Sequence, residues 1–397
     1  MGFQIDRLLK NRLWTVSEPT IFDMKNSGHL RAIKKLFVQK KIQQVIDDYE
    51  EQLFELFCVS NPSLIFSPNL HNEFKTYLKK LTDKNRSLIF EGKWIYYPWL
   101  YSLVHLLPEK DFQKVRTARN RDLISEQEQE GFYNSTIGIG GLSVGNNVAL
   151  AIVLQGGGKY IKIADFDRFA LSNMNRVRAG IENLGLQKVD ITARQIYQIN
   201  PYSIIYKFAE GLTEKNIDNF FRGSKKLDIM VDELDNIQIK LLVREWAKKY
   251  KTPIVMGADD GDNAVIDIER YDLSPRPRFF HGRMGAVTKK KLANLDKMGI
   301  GRMITKHIGP ENIPVRLQNS LMSIGKTLVS WPQLGGAAML NGVAVSYCVR
   351  KILNKQPLKA NRGIISLDEE LLPEQTWKQE QRNQKKHLVK FKQFLGL

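Results

Sequence analysis

Cysteine is nearly absent: Cys58 and Cys348 are the only two in 397 residues, and they stand far apart. Neither a disulfide framework nor a four-thiolate zinc site can be assembled within one chain. No uninterrupted apolar run reaches the roughly 18 residues of a membrane-spanning helix. The opening Met1-Gly2-Phe3-Gln4-Ile5-Asp6 lacks the basic and apolar regions of a secretion signal. A cytoplasmic location and no membrane partner are therefore expected. Internal repeats and low-complexity tracts are also missing.

What is present is enough for a sizeable core. Hydrophobic residues make up 43% of the chain, and its length suits two or three domains. The formal charge of +18 fits an acidic partner such as nucleic acid, an anionic peptide or nucleotide phosphates. Lysines decorating solvated faces would give the same total.

Three regions differ in character. Residues 1–110 carry a mostly helical pattern, with apolar residues at three- and four-residue spacing from Leu30 to Phe57. An aromatic tract, Trp94-Ile95-Tyr96-Tyr97-Pro98-Trp99-Leu100-Tyr101, follows and reads as buried packing or a docking groove for a peptide. This part is expected to be a mainly helical accessory domain. Residues 111–372 alternate short apolar runs (136–139, 160–164, 203–208, 228–231, 253–256) with helical stretches (146–155, 186–199, 237–249). That rhythm predicts an α/β fold, Rossmann-like, with a mostly parallel sheet, right-handed crossovers and flanking helices. Residues 265–271 alternate and read as antiparallel additions to the sheet, and 335–353 as a buried helix on the sheet or against a second subunit. Residues 373–397 read as a basic C-terminal helix or tail, packed on its own protein or touching RNA or a membrane surface.

The chemistry concentrates between Thr136 and Lys188. The turn Gly138-Ile139-Gly140-Gly141-Leu142-Ser143-Val144-Gly145 follows a predicted strand and opens a helix. Gly138, Gly140, Gly141 and Gly145 suit the close approach of backbone N–H groups to a phosphate, and Ser143 can add a hydroxyl. Twenty-five residues after Gly140, the next strand ends in Asp165-Phe166-Asp167. An acid there can grip a ribose hydroxyl, or cap the next helix. Asn173, Arg176 and Lys188 come next. A dinucleotide dehydrogenase would leave these cations idle, whereas attack on the α-phosphate of ATP needs them.

These motifs, with Asn200-Pro201 and Val231-Asp232-Glu233-Leu234-Asp235-Asn236, resemble the ThiF/MoeB/ubiquitin-activating-enzyme adenylyltransferases over roughly residues 116–368. The similarity is to the subgroup with a Gly-Leu-Ser-Val-Gly turn and an upstream aromatic tract. The resemblance implies an acyl-adenylate made from ATP with release of pyrophosphate. It implies that Asp165 holds the ribose, with Asp167 beside it, and that Asn173 contacts phosphate. Arg176 and Lys188 would neutralise the triphosphate. Asp235 would hold magnesium with Asp232 as its partner, unless it merely caps the following helix. Arg121 matches an arginine that relatives insert into the partner subunit's ATP site, which implies a homodimer; a surface salt bridge is the alternative. Relatives often carry two Cys-x-x-Cys pairs for structural zinc, and this chain has none, so no zinc is expected. They also often have glycine where Ser143 stands.

Cys348 lies in an apolar stretch where thiols are inert packing groups, so direct attack on the adenylate is expected in place of a thioester. Of the outcomes this leaves, modification of a ribosomal peptide carboxylate is favoured, with the accessory domain as a clamp. Activation of a ubiquitin-like or sulfur-carrier protein, a tRNA-modifying dehydratase and a non-catalytic nucleotide-binding scaffold are the alternatives.

Overall fold

A computed structural model describes residues 16–81 and 87–397; the Met1–Asp6 stretch lies outside them. The chain divides into two compact units. One takes in the residues up to Gln129 together with Ala193–Tyr202, and the other Glu130–Thr192 and Ser203–Leu397.

The first unit holds β1 (Thr20–Phe22), α1 (Ser27–Val38), β2 (Gln44–Asp47), α2 (Tyr49–Ser60), α3 (Leu70–Leu81), β3 (Lys93–Tyr97), β4 (Ser102–Leu106) and α4 (Glu109–Arg116). Its sheet runs β1-β3-β4-β2, with β2 parallel to β4 and the other pairs antiparallel. Asn26 starts α1 by accepting the N–H groups of Gly28 and His29. The helical periodicity read over Leu30–Phe57 is interrupted by β2, where Val45 and Ile46 favour an extended chain that pairs with Leu103 and Val104. The aromatic tract forms β3, with Trp94 through Tyr97 all buried. Beside it, His105 is sandwiched between the rings of Tyr49 and Trp94, at 4.0 and 4.3 Å. Its two ring nitrogens meet Asp47 Oδ1 and the Glu91 carbonyl, so this fully buried polar group has partners on both sides.

The second unit is a Rossmann-like α/β sheet with helices packed against it. Strands β5 (Thr136–Gly140), β6 (Tyr160–Ala164), β7 (Ile204–Phe208), β8 (Ile229–Asp232) and β9 (Ile254–Asp260) are parallel. β10 (Asn263–Glu269) and β11 (Arg362–Ile365) continue antiparallel. The spatial order is β11-β10-β9-β8-β5-β6-β7, so the winding reverses between β5 and β8. Ligands of such sheets bind outside the strand carboxyl ends at that reversal.

Beyond α5 (Glu126–Asn134), the helices are α6 (Val144–Leu154), α7 (Lys188–Ile199), α8 (Ile217–Arg222), α9 (Ile237–Tyr250), α10 (Lys289–Ala293), α11 (Lys297–Ile308), α12 (Val315–Ser323), α13 (Gly335–Leu353), α14 (Leu367–Leu371) and α15 (Glu374–Leu395). α13 packs on α6 and on β9. The approach to α6 is close enough that a Cβ on Gly342 would stand 2.8 Å from Asn147 Cβ. The C-terminal basic segment is α15, which buries Phe391 and Leu395 with Val265, Ile308, Ile313 and Leu317. Among the described residues no helix is long and apolar enough to cross a membrane.

Candidate active site at the carboxyl edge of the sheet

β5 is buried along its length and delivers the glycine turn to the sheet edge. Gly141 has φ +84°, a left-handed backbone that a side chain strains, and a Cβ there would sit 2.2 Å from the Glu233 carbonyl oxygen. Its N–H donates to the Ala164 carbonyl at 2.8 Å. The other glycines make room for packing. Added Cβ atoms at Gly138, Gly140 and Gly145 would meet Leu227, Met230 and Ile139 at 2.8, 3.0 and 3.1 Å.

The end of β6 is bound to this turn by one carboxylate. Asp165 accepts the Leu142 N–H on Oδ2 at 2.7 Å and the Asp167 N–H on Oδ1 at 2.8 Å. Lys188, which opens α7, places Nζ 2.7 Å from Asp167 Oδ2 and 3.9 Å from Asp165 Oδ2. Burial pushes the Asp165 carboxyl above its ordinary range, against the downward pull of Lys188 and the two N–H groups.

Arg176 reaches the same turn from the loop after β6. Its Nε donates to Ser143 Oγ at 2.9 Å, and Nη1 donates to the Ser172 carbonyl and Asn175 Oδ1. Asn173 uses its Oδ1 on the Ala170 N–H within a short turn. The loop is braced from two helices: Asn147 on α6 donates to the Arg176 carbonyl at 2.9 Å, and Asn175 donates to the Gln333 carbonyl, just before α13, at 2.7 Å. Gln333 and Asn341 in turn donate to Oδ2 and Oδ1 of Asp259, at 3.0 and 2.6 Å. Burial raises the Asp259 carboxyl, while these amides and the Arg176 charge pull it down.

Asp235 lies exposed between β8 and α9. The cap of α9 is Asn236, which accepts from Gln238 and Ile239, so capping does not occupy the Asp235 carboxylate. Asp232, read as its partner, is committed instead to a buried ion pair with Arg244 and to Lys240 at 3.2 Å. Glu233 tucks beneath the turn and accepts the Gly257 N–H at 2.8 Å. Burial, with Asp232 and Asp259 nearby, drives its carboxyl well above the usual range.

Gly138, Gly140, Gly141, Ser143, Gly145, Asp165, Asp167, Asn173, Arg176, Lys188 and Asp235 all belong to the second unit. Arg121 belongs to the first, exposed directly after the turn Ala118–Asn120. Cys348 is buried on α13, its thiol pushed up to about 11 by desolvation. Sequence reading missed Glu233, Asp259, Gln333 and Asn341. The acids at the end of β9 carry the ordinary signal of a parallel strand's carboxyl edge, whereas Gln333 and Asn341 have no local signature.

A glycine turn, an acid at the end of the next strand and cations beside them at the reversal of a parallel sheet are features of the nucleotide-binding α/β class. Residues 117–303 match the ThiF family profile, and this stretch of the chain is a ThiF-family domain. An uncharacterized protein of Mycobacterium tuberculosis is 32% identical over 317 residues, covering 80% of this chain and 44% of that protein. The tRNA threonylcarbamoyladenosine dehydratase of Bacillus subtilis is 31% identical over 168 residues, covering 40% and 64% respectively. The matched region thus spans about half the length of these curated relatives. Among solved structures, Escherichia coli MccB with ATP is similar at a TM-score of 0.45 and 16% identity, over 66% of this chain and 77% of that one.

Proposed function

We propose that this protein is an ATP-dependent adenylyltransferase that activates a carboxylate. A substrate carboxylate oxygen attacks the α-phosphorus of ATP, the bond to the departing β-phosphate oxygen breaks, and acyl-adenylate and pyrophosphate result. Two anions must approach each other, so preorganised positive charge is the main requirement. The observation that carries this reading is Arg176 bonded to Ser143 at the start of α6, beside the Gly141 turn. Asp165 takes the ribose, and Lys188 adds charge for the triphosphate.

Asp235 would hold magnesium. Its carboxylate is exposed, oxygen-only and free of a capping role, which suits a hard divalent cation that also takes phosphate oxygens and water. Magnesium, when bound, supplies neutralising charge to the phosphates.

A ribosomal peptide is the favoured source of the carboxylate. A first unit with its own sheet and helices gives a second binding body, and the buried, high-pKa Cys348 disfavours thioester transfer. A homodimer in which Arg121 serves the neighbouring subunit belongs to the same reading. The net charge of +18, with a named tRNA-modifying relative, favours a tRNA-borne carboxylate as the second reading. ATP–pyrophosphate exchange tests the proposal: labelled pyrophosphate should enter ATP only with magnesium and a carboxylate substrate. Background exchange with every candidate peptide, carrier protein and tRNA would refute it.

A further inference from the structure

A serine at a helix start ordinarily accepts an N–H from the second or third helical residue. Ser143 stands at the cap of α6 and makes no such bond. Its hydroxyl instead accepts Arg176 Nε, from a residue 33 positions further along the chain. Diverting this hydroxyl has two consequences. The first-turn N–H groups of α6 are left without a side-chain cap, beside the glycine turn, where an anion is favoured. The hydroxyl, with a lone pair engaged by a cation, still has its own hydrogen to donate.

The guanidinium is held at two of its three nitrogens. Nε is fixed by Ser143, and Nη1 by Ser172 and Asn175; among the described residues nothing bonds Nη2. Ser143 therefore sets the direction in which the remaining N–H groups of Arg176 face.

We propose that Ser143 is a positioning residue for Arg176: it anchors Nε at the start of α6 and donates its own O–H to the bound nucleotide. Hydroxyl, guanidinium and helix N–H groups then meet one phosphoryl group. The contact with a cation polarises the hydroxyl and strengthens its donation to an anion. The inference rests on the nucleotide reading above.

The probes are ATP and adenosine, titrated against the full chain by calorimetry or competition. Ser143→Ala should weaken ATP about tenfold, the loss expected for one hydrogen bond to a charged group, and leave adenosine within about twofold. Ser143→Thr, which keeps the hydroxyl, should restore most of the ATP affinity. Because part of the effect runs through the guanidinium, Ser143→Ala combined with Arg176→Ala should cost less than the sum of the two single losses. Should the alanine variant melt early, Ser143→Gly gives the same comparison without a side chain at the helix start. The inference is overturned if Ser143→Ala and Ser143→Gly bind ATP like the wild type, or if the losses in the double variant add fully. A wild-type chain that binds no ATP would sink the nucleotide reading itself, a result distinct from either.

Discussion

Arg244 and Asp232 meet at 2.6 Å with neither side chain exposed to solvent. Glu269 approaches the same guanidinium at 2.7 Å, and the Phe280 ring lies 3.9 Å beneath it. Asp232 is thus part of the framework that joins α9 to β8 and β10. Arg244→Met would take the cation from buried Glu269 and leave Asp232 with Lys240 alone. It should lower unfolding stability by about 3–5 kcal/mol, read from denaturant midpoints. A loss below about 1 kcal/mol would show that the pair is not the anchor it looks to be.

Arg176 and Lys188 should separate by their effect on stability. Each alanine variant is expected to suppress pyrophosphate exchange by roughly 10²–10⁴, the scale of a lost transition-state charge. Lys188 also compensates the buried Asp165 and pairs with Asp167, whereas Arg176 makes no ion pair among the described residues. Lys188→Ala should therefore melt earlier than Arg176→Ala. Equal melting temperatures would contradict this division.

Asp235→Asn keeps the size of the side chain and removes its charge. The magnesium concentration needed for half-maximal exchange should rise by about tenfold or more, with folding intact, because the residue is exposed and does not cap α9. An unchanged magnesium titration would remove Asp235 from the metal site.

Burial raises the Asp260 carboxyl to about 7, with Asp368 adding to the rise and Arg362 opposing it. An unfolded aspartate releases its proton near pH ~3.9. Between those values the native chain holds a proton that the unfolded chain has lost. This contribution to stability is therefore complete below about pH 4 and is lost as the pH rises towards 7. Asp260→Asn, neutral throughout, should flatten the slope by up to about 4 kcal/mol across that window. Parallel stability curves for the two proteins between about pH 4 and 7 would rule the titration out.

Arg121 belongs to the first unit and the other site residues to the second. Mixing an Arg121→Ala chain with an Arg176→Ala chain should recover up to about a quarter of wild-type exchange if the arginine acts across a dimer, since one of the mixed sites is then intact. No recovery, with mixed oligomers demonstrated, would assign Arg121 to its own subunit.

The parallel strands were legible because each is a short apolar run bounded by turn residues, and in β5, β6 and β8 burial on both faces leaves little freedom of register. β5, β6, β7 and β8 lie within about a residue of their sequence-read limits, while β9 extends to Asp260, past the apolar run that ended at Met256. The glycine turn was legible because Gly141 requires a backbone that other residues strain. Less could be read where contacts are non-local. β2 is exposed along its length and shows no alternation of buried and exposed residues, so its pairing with β4 left no pattern. The Asp259–Gln333–Asn341 brace joins residues some 70 to 80 positions apart through ordinary polar side chains. Ser143 read as a phosphate ligand; its bond to Arg176 emerges only when two loops are folded together.

Neither unit is a continuous piece of chain. The main chain leaves the first after Gln129, returns to it for Ala193–Tyr202 and departs again. Asn200 and Tyr202 in that short return fasten to Gln113 and Leu107. A truncation after residue 129 would thus strip the first unit of an internal brace and cut through α5. The first unit is therefore not a cassette that one cut in the chain could remove intact.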